Sequence, residues 1–153
     1  ALPFALFDRA VSHATYEQQE NGKIIFDGVV EMAKACLARG IPVGLGTDTG
    51  CPYITHYDMW REVRYFHTFC GVSNAFALHT ATLGNAKIAG IDGITGSLTP
   101  GKSADLIVTA GNPLEDLKAL RHVSVVTMRG KLFRDPKVRK MPDCERELDK
   151  VSC

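Results

Sequence analysis

The sequence predicts an α/β fold built from parallel units, and three observations predict it. The apolar positions Phe26, Val29, Val30, Ala33, Cys36 and Leu37 repeat at helical spacing up to Gly40, where a helix C-cap belongs. Ile41-Pro42-Val43-Gly44-Leu45 follows at once, apolar on both faces as a doubly buried strand is. That strand empties into Gly46-Thr47-Asp48-Thr49-Gly50, and in parallel α/β folds the polar loop at a strand's carboxyl end faces the active site.

The elements follow in order. The first helix is expected from Phe26 to Arg39 and the strand from Ile41 to Leu45. Met59, Trp60, Val63, Phe66, Phe69 and Cys70 mark a second helical face with Gly71 as its stop. Ser73 caps a short helix through Leu78, and Thr80 another through Ala89, closed by Gly90. Ile94 to Leu98 and Ala104 to Val108 read as strands around the turn Thr99-Pro100-Gly101-Lys102. A short helix is expected near Leu114 to Leu120. Val123 to Met128 and Lys131 to Phe133 then form a hairpin across Arg129-Gly130. The stretch from Asp135 to Cys153 is mostly charged and shows no sustained period, which predicts a loosely held or partner-docked tail.

Composition excludes several classes. The chain has 153 residues, 45% hydrophobic and 23% charged, which rules out a disordered or collagen-like polymer. With 18 Lys and Arg against 17 Asp and Glu, the net charge of +1 gives no field to attract nucleic acid. Gly, Pro, Lys or Asp interrupts every apolar run before the roughly 18 residues that a membrane span needs. Five scattered cysteines without a CxxC pair predict a reduced, cytoplasmic protein. Residue 1 is Ala rather than Met, and the opening residues lack a signal peptide's basic start and long apolar run, so the chain is expected to be part of something longer.

Asp48 is the residue to single out for chemistry. It has two readings: an Asx turn in a Gly-rich loop, or a carboxylate at the mouth of a parallel barrel that binds a metal or moves a proton. The loop itself is GxGxxxG rather than GxGxxG, with Cys51-Pro52-Tyr53 where a helix N-terminus should present amides to a phosphate, so it is a poor dinucleotide loop. Cys51, His56, His67 and Cys70 are spaced like zinc ligands, but an apolar helix fills most of the interval. His56 reads either as a contact for substrate or a carboxylate near the Asp48 loop, or as a surface imidazole at a helix start. No G-x-S-x-G elbow occurs. Lys102 and Asp105 flank a turn and are read as structural.

Three segments then carry a family resemblance. They are Val43-Gly44-Leu45-Gly46-Thr47-Asp48-Thr49-Gly50, the helix Leu78-His79-Thr80-Ala81-Thr82-Leu83-Gly84-Asn85-Ala86-Lys87-Ile88-Ala89-Gly90, and Gly93-x-x-x-Gly96-Ser97-Leu98-x-Pro100-Gly101-Lys102-Ser103-Ala104-Asp105-Leu106-Ile107-Val108. In this order they resemble the C-terminal part of the amidohydrolase superfamily, most of all its imidazolonepropionase-like and prolidase-like branch, over roughly Gly22 to Phe133.

The resemblance implies the C-terminal part of a metal-dependent hydrolase: a (β/α)8 TIM barrel with strands of a composite β-sandwich. Residues 1–97 would belong to the barrel, 98–135 to the sandwich and 136–153 to the charged tail. Ile41 to Leu45 would be the eighth barrel strand, with Asp48 at its end as catalytic residue and metal ligand. In the family that aspartate takes a proton from metal-bound water as it attacks a carbonyl, and returns it to the departing nitrogen. The implied cofactor is a divalent metal, zinc, and the implied reaction is hydrolysis of a carbon–nitrogen bond in an amide, a cyclic amide or a dipeptide. Thr47, Thr49 and His56 would line the mouth of the small-molecule substrate pocket. The family's HxH pair, bridging lysine and further histidines have no counterpart here, so the segment alone is expected to bind metal poorly and hydrolyse nothing. Its expected partners are the missing N-terminal part of the same enzyme or, as a homo-oligomer, further copies covering its strand edges. The rival readings are a non-catalytic α/β binding module that uses the Gly44 to Gly50 loop for a phosphate-bearing ligand, and an assembly domain without ligand.

Overall fold

A computed structural model describes residues 5–51 and 53–152, and the chain is α/β. It divides into two compact units, one of Ala1–Ile41, Asp48–His56 and Arg139–Cys153, the other of Pro42–Thr47 and Tyr57–Val138.

In the first unit, α1 spans Arg9–Ser12 and α2 spans Tyr16–Ala38. The long helix starts ten residues before the predicted Phe26. Its first turns are polar and give no apolar period, but Thr15 and Gln18 close a capping box. Thr15 Oγ1 accepts from Gln18 N at 3.1 Å and Gln18 Oε1 accepts from Thr15 N at 2.9 Å, so two donors that a helix start leaves orphaned are satisfied. The expected loose tail is instead a helix over Pro142–Ser152. Its apolar residues Cys144, Leu148 and Val151 fall one turn apart and pack with Phe7, Val11 and Tyr53. The ring edge of one aromatic meets the face of the other in the Phe7–Tyr53 pair, with centroids 5.2 Å apart. The Tyr53 hydroxyl donates to Val11 O at 2.7 Å, so its polar end is satisfied while its ring packs against this partly covered cluster.

In the second unit, α3 spans Met59–Cys70 and ends as predicted at Gly71, whose φ of 73° closes the helix in the left-handed conformation. Asp58 precedes it, and its carboxylate accepts from Trp60 Nε1 at 3.0 Å and faces Arg61 Nε at 3.3 Å. Both charges are out of water, Arg61 at 2% exposure and Asp58 at 5%. The Trp60 ring lies under the guanidinium groups of Arg61 and Arg121, at 4.5 and 5.5 Å from its centroid. Next comes α4, Asn74–His79, with Ser73 Oγ accepting from Phe76 N at 3.2 Å as its cap.

The chain does not break at Thr80, as predicted, for a new helix. It runs through a π turn over Thr80–Gly84 directly into α5, Asn85–Ile88. Thr80 is therefore no cap. A Cβ at Gly84 would come within 3.2 Å of His79 O, a tight approach for any residue that carries one.

The predicted strand over Ile94 to Leu98 is a run of turns. Thr95 N donates back to Ile91 O, and Gly96 stands at φ 87°, outside the range of a regular strand. A Cβ on Gly96 would lie 2.5 Å from Ala86 Cβ, so the turn is pressed onto the helix after the π segment. The sheet is antiparallel, in the order β1 Leu106–Thr109, β2 Val123–Met128, β3 Lys131–Arg134. Arg129 and Gly130 both have positive φ, 49° and 78°, the geometry that a tight two-residue hairpin requires. The helix expected near Leu114 to Leu120 is a 3-10 turn over Leu117–Arg121 that buries Leu117.

The predicted strand Ile41 to Leu45 is the main correction. Residues 41–48 lie outside any β-ladder, and Ile41 is 49% exposed. A parallel strand must be bonded along its edges, and among the described residues no other strand pairs with it.

Candidate functional site

The segment before Asp48 has a hydrogen-bond partner of another kind. Leu45 N donates to Asn85 Oδ1 at 2.9 Å, and Asn85 Nδ2 donates to Leu45 O at 2.8 Å. A single carboxamide thus does for Leu45 what a neighbouring strand would do, offering one acceptor and one donor in the right order. The approach is close, since a Cβ on Gly44 would stand 3.1 Å from Asn85 Oδ1 and 3.3 Å from Ile88 Cδ1. Asn85 is the first residue after the π turn. A π turn takes up one extra residue, so the residues beyond it face about 100° from where an uninterrupted α-helix would point them. The sequence gives no reason to single out Asn85. Asparagine in a helix lacks a motif of its own, and its partner is 40 residues away.

Asp48 itself stands at φ 55°, in the left-handed region. Aspartate is among the few residues that tolerate this conformation. The Cys51 thiol donates weakly to Asp48 Oδ2 at 3.8 Å. Asp48 is exposed, so its carboxylate is presented to solvent rather than spent in a core. Thr49 and His56 belong to the same unit as Asp48 and are exposed, whereas Thr47 is half-buried at the end of the 42–47 segment of the other unit. All three make interactions of their own.

The remaining candidates have structural employment. His67 Nδ1 lies 2.7 Å from Val72 O, just beyond the end of α3. Lys102 Nζ donates to Ser97 Oγ at 2.8 Å. Asp105 accepts from Arg129 N at 2.7 Å and from Thr95 Oγ1 at 2.9 Å. The Arg129 amide, then the Thr95 hydroxyl and the Ser103 side chain, hold its carboxyl below the ordinary aspartate value. These bonds tie the hairpin turn to the start of β1. A cavity of about 680 Å³ in this unit is lined by Thr82, Ala86, Leu98 and Ile107 among others. Its Thr82 hydroxyl is committed to Leu78 O at 2.7 Å.

Among the described residues no three His, Cys, Asp or Glu side chains gather closely enough to hold a metal ion. One carboxylate with one thiol nearby offers at most two donors, short of the three or four a site needs, so these residues do not fit a complete metal site. Nor does a helix begin directly after Gly50. Helix α3 starts only at Met59, so the loop lacks the amide-lined N-terminus on which a phosphate loop depends.

Known proteins are similar to this chain. The chain is 32% identical over 106 residues to guanine deaminase of Escherichia coli, matching 65% of this chain and 24% of that protein. It is 30% identical over 114 residues to ochratoxinase of Aspergillus niger, matching 72% of this chain and 23% of that one. A crystal structure from Bifidobacterium longum, provisionally described as a prolidase, superimposes with a TM-score of 0.95 at 40% identity. It covers 99% of this chain and 37% of that chain. The chain therefore spans about a quarter of the length of the curated relatives it matches. The model of the amidohydrolase family matches residues 19–133, three quarters of the sequence, and the chain belongs to that family.

Proposed function

We propose that this chain is the C-terminal portion of a metal-dependent amidohydrolase that hydrolyses a carbon–nitrogen bond in a small molecule, whether an amide, a cyclic amide or a dipeptide. The observation that carries the reading is Asp48. It is an exposed carboxylate in a left-handed turn, three residues beyond a backbone position held by two hydrogen bonds. Residues 1–97 would complete a (β/α)8 barrel, 98–135 would add strands to a composite β-sandwich, and 136–153 would form the terminal segment.

In this reading Asp48 takes the proton from the attacking water and delivers it to the departing nitrogen, a task for an accessible carboxylate near neutral pH. Thr47, Thr49 and His56 stand at the mouth of the substrate pocket. Asp48 would also be one ligand of a divalent metal, zinc, and such a metal would supply Lewis-acid polarisation of the scissile carbonyl. The other ligands come from the N-terminal part of the enzyme, because one carboxylate does not make a site. The names of the relatives, a guanine deaminase and a prolidase among them, support carbon–nitrogen chemistry and leave the leaving group open.

The test compares this chain with the full-length protein after zinc loading, against a panel of N-acyl amino acids, cyclic amides and Xaa-Pro dipeptides. Turnover by the full-length protein and none by the 153-residue chain is the expected pattern. Hydrolysis by the short chain at a comparable rate would refute the division of the site.

A further inference from the structure

We propose that Tyr53 is a positioning residue for Asp48, and that the terminal helix Pro142–Ser152 is the brace to which it is anchored. The role rests on Asp48 being the proton carrier and adds to it a residue with no direct part in the chemistry.

Every residue of this arrangement belongs to the first unit. The described residues of 48–56 lie outside every helix and every strand of the sheet, so regular structure does not hold them. Asp48 and Tyr53 nevertheless stand at φ 55° and 64°, and a bulky aromatic keeps so uncommon a conformation only where its surroundings impose it. Tyr53 is gripped at three points. Its hydroxyl donates to Val11 O at 2.7 Å, its ring packs edge to face with Phe7, and its carbonyl accepts weakly from Cys144 Sγ at 3.9 Å. Behind these contacts lie the buried Phe7, Cys144 and Leu148, and Gln19 Nε2 ties Phe7 O to α2 at 3.0 Å. Two short links carry the restraint back from Tyr53 to the carboxylate. Ile54 N donates to Cys51 O at 3.1 Å, and the Cys51 thiol donates to Asp48 Oδ2 at 3.8 Å. Phe7, Val11, Cys144 and Leu148 all lie outside residues 19–133, so the brace stands apart from the part that the family's model matches. A displacement of about 1 Å in a catalytic group costs on the order of 100-fold in rate.

The experiment uses the full-length enzyme and whichever N-acyl amino acid, cyclic amide or Xaa-Pro dipeptide of the panel it turns over fastest. Leu148→Ala cuts into the brace from the helix side, and Tyr53→Ala removes the anchor from the loop side. Each should lower kcat by about 10- to 100-fold. The double variant should be no worse than the more severe single one, since both undo the same contact. Leu148→Met refills the volume and should return kcat to within about twofold of wild type. Hydrogen exchange read on the peptide covering residues 48–56 should speed up in both alanine variants while α3 stays protected. Thr15→Ala separates positioning from stability. It removes the side-chain cap of α2 in the same unit, so it should lower the melting temperature and leave kcat within about twofold of wild type.

Unchanged exchange over residues 48–56 in Leu148→Ala would overturn the proposal, as would faster exchange with unchanged kcat. A loss of kcat in Thr15→Ala as large as that in Leu148→Ala would also overturn it, because the effect would then follow stability alone. Should Leu148→Ala fail to fold, Tyr53→Ala decides by the same criteria. If Asp48→Asn kept full turnover, the functional reading would fall and this inference with it. If Asp48→Asn were inactive and the Leu148 and Tyr53 variants fully active, only this inference would fall.

Discussion

Asp48→Asn in the full-length enzyme should leave the fold in place and lower kcat by about 100- to 10,000-fold, the range that a positioned general acid–base group contributes. Asparagine has the size and shape of aspartate and tolerates the left-handed region nearly as well, so φ 55° at this position is no obstacle to it. Its carboxamide cannot accept the proton of a water molecule near neutral pH. The loss should therefore appear in kcat with little change in melting temperature. Circular dichroism and thermal unfolding check the fold, and steady-state kinetics check the rate. Near wild-type kcat in a folded Asp48→Asn variant would remove Asp48 from the chemistry.

Asp58→Ala should produce the largest loss of stability, about 3–5 kcal/mol, because it removes a carboxylate that a buried guanidinium faces. Arg61 and Asp58 are both almost wholly out of water, and the carboxylate also accepts from the Trp60 indole at 3.0 Å. Removing it takes that partner from one buried charge and one indole N–H, and losing one side of a buried pair costs more than the pair itself contributes. Replacing an exposed pair such as Lys34 with Glu31 should cost under about 1 kcal/mol, which gives the comparison within one protein. Urea unfolding monitored by Trp60 fluorescence measures both. A loss below about 1 kcal/mol for Asp58→Ala would mean that the buried pair is not what fixes the start of α3.

Elements whose signals are local are legible in the sequence. The apolar period of 59–70 with Gly71 at its end, the Ser73 cap and the Arg129-Gly130 turn each state their conformation within a few residues. Elements that depend on partners are not. Ile41 to Leu45 has the composition of a buried strand, but a strand exists only where neighbours bond to it, and a side chain from α5 does so instead. Ile94 to Leu98 reads as a strand because its apolar residues outweigh Gly96, whose positive φ turns the chain instead. The terminal helix escapes a sequence reading because three apolar residues, Cys144, Leu148 and Val151, suffice to dock it, and the remaining charges hide their spacing. The early start of α2 is readable after all in the Thr15–Gln18 capping box.

The candidate site divides in the same way. Asp48 is accessible from its place at the end of an apolar run in a Gly-rich loop. Asn85 lies within a segment that carries the family resemblance, yet nothing local to Thr82-Leu83-Gly84-Asn85 says that its carboxamide meets a backbone 40 residues earlier.

If this chain contributes one carboxylate to a hydrolytic site completed elsewhere in the same polypeptide, the protein must be longer than the chain. The intact mass of the protein as its source cell makes it, set against the 16.7 kDa of the present chain, decides this. Because 99% of this chain matches 37% of the Bifidobacterium longum structure, a product between two and three times that mass is expected. A native product of about 16.7 kDa would contradict the divided site, since no upstream strands would then exist to supply the missing ligands.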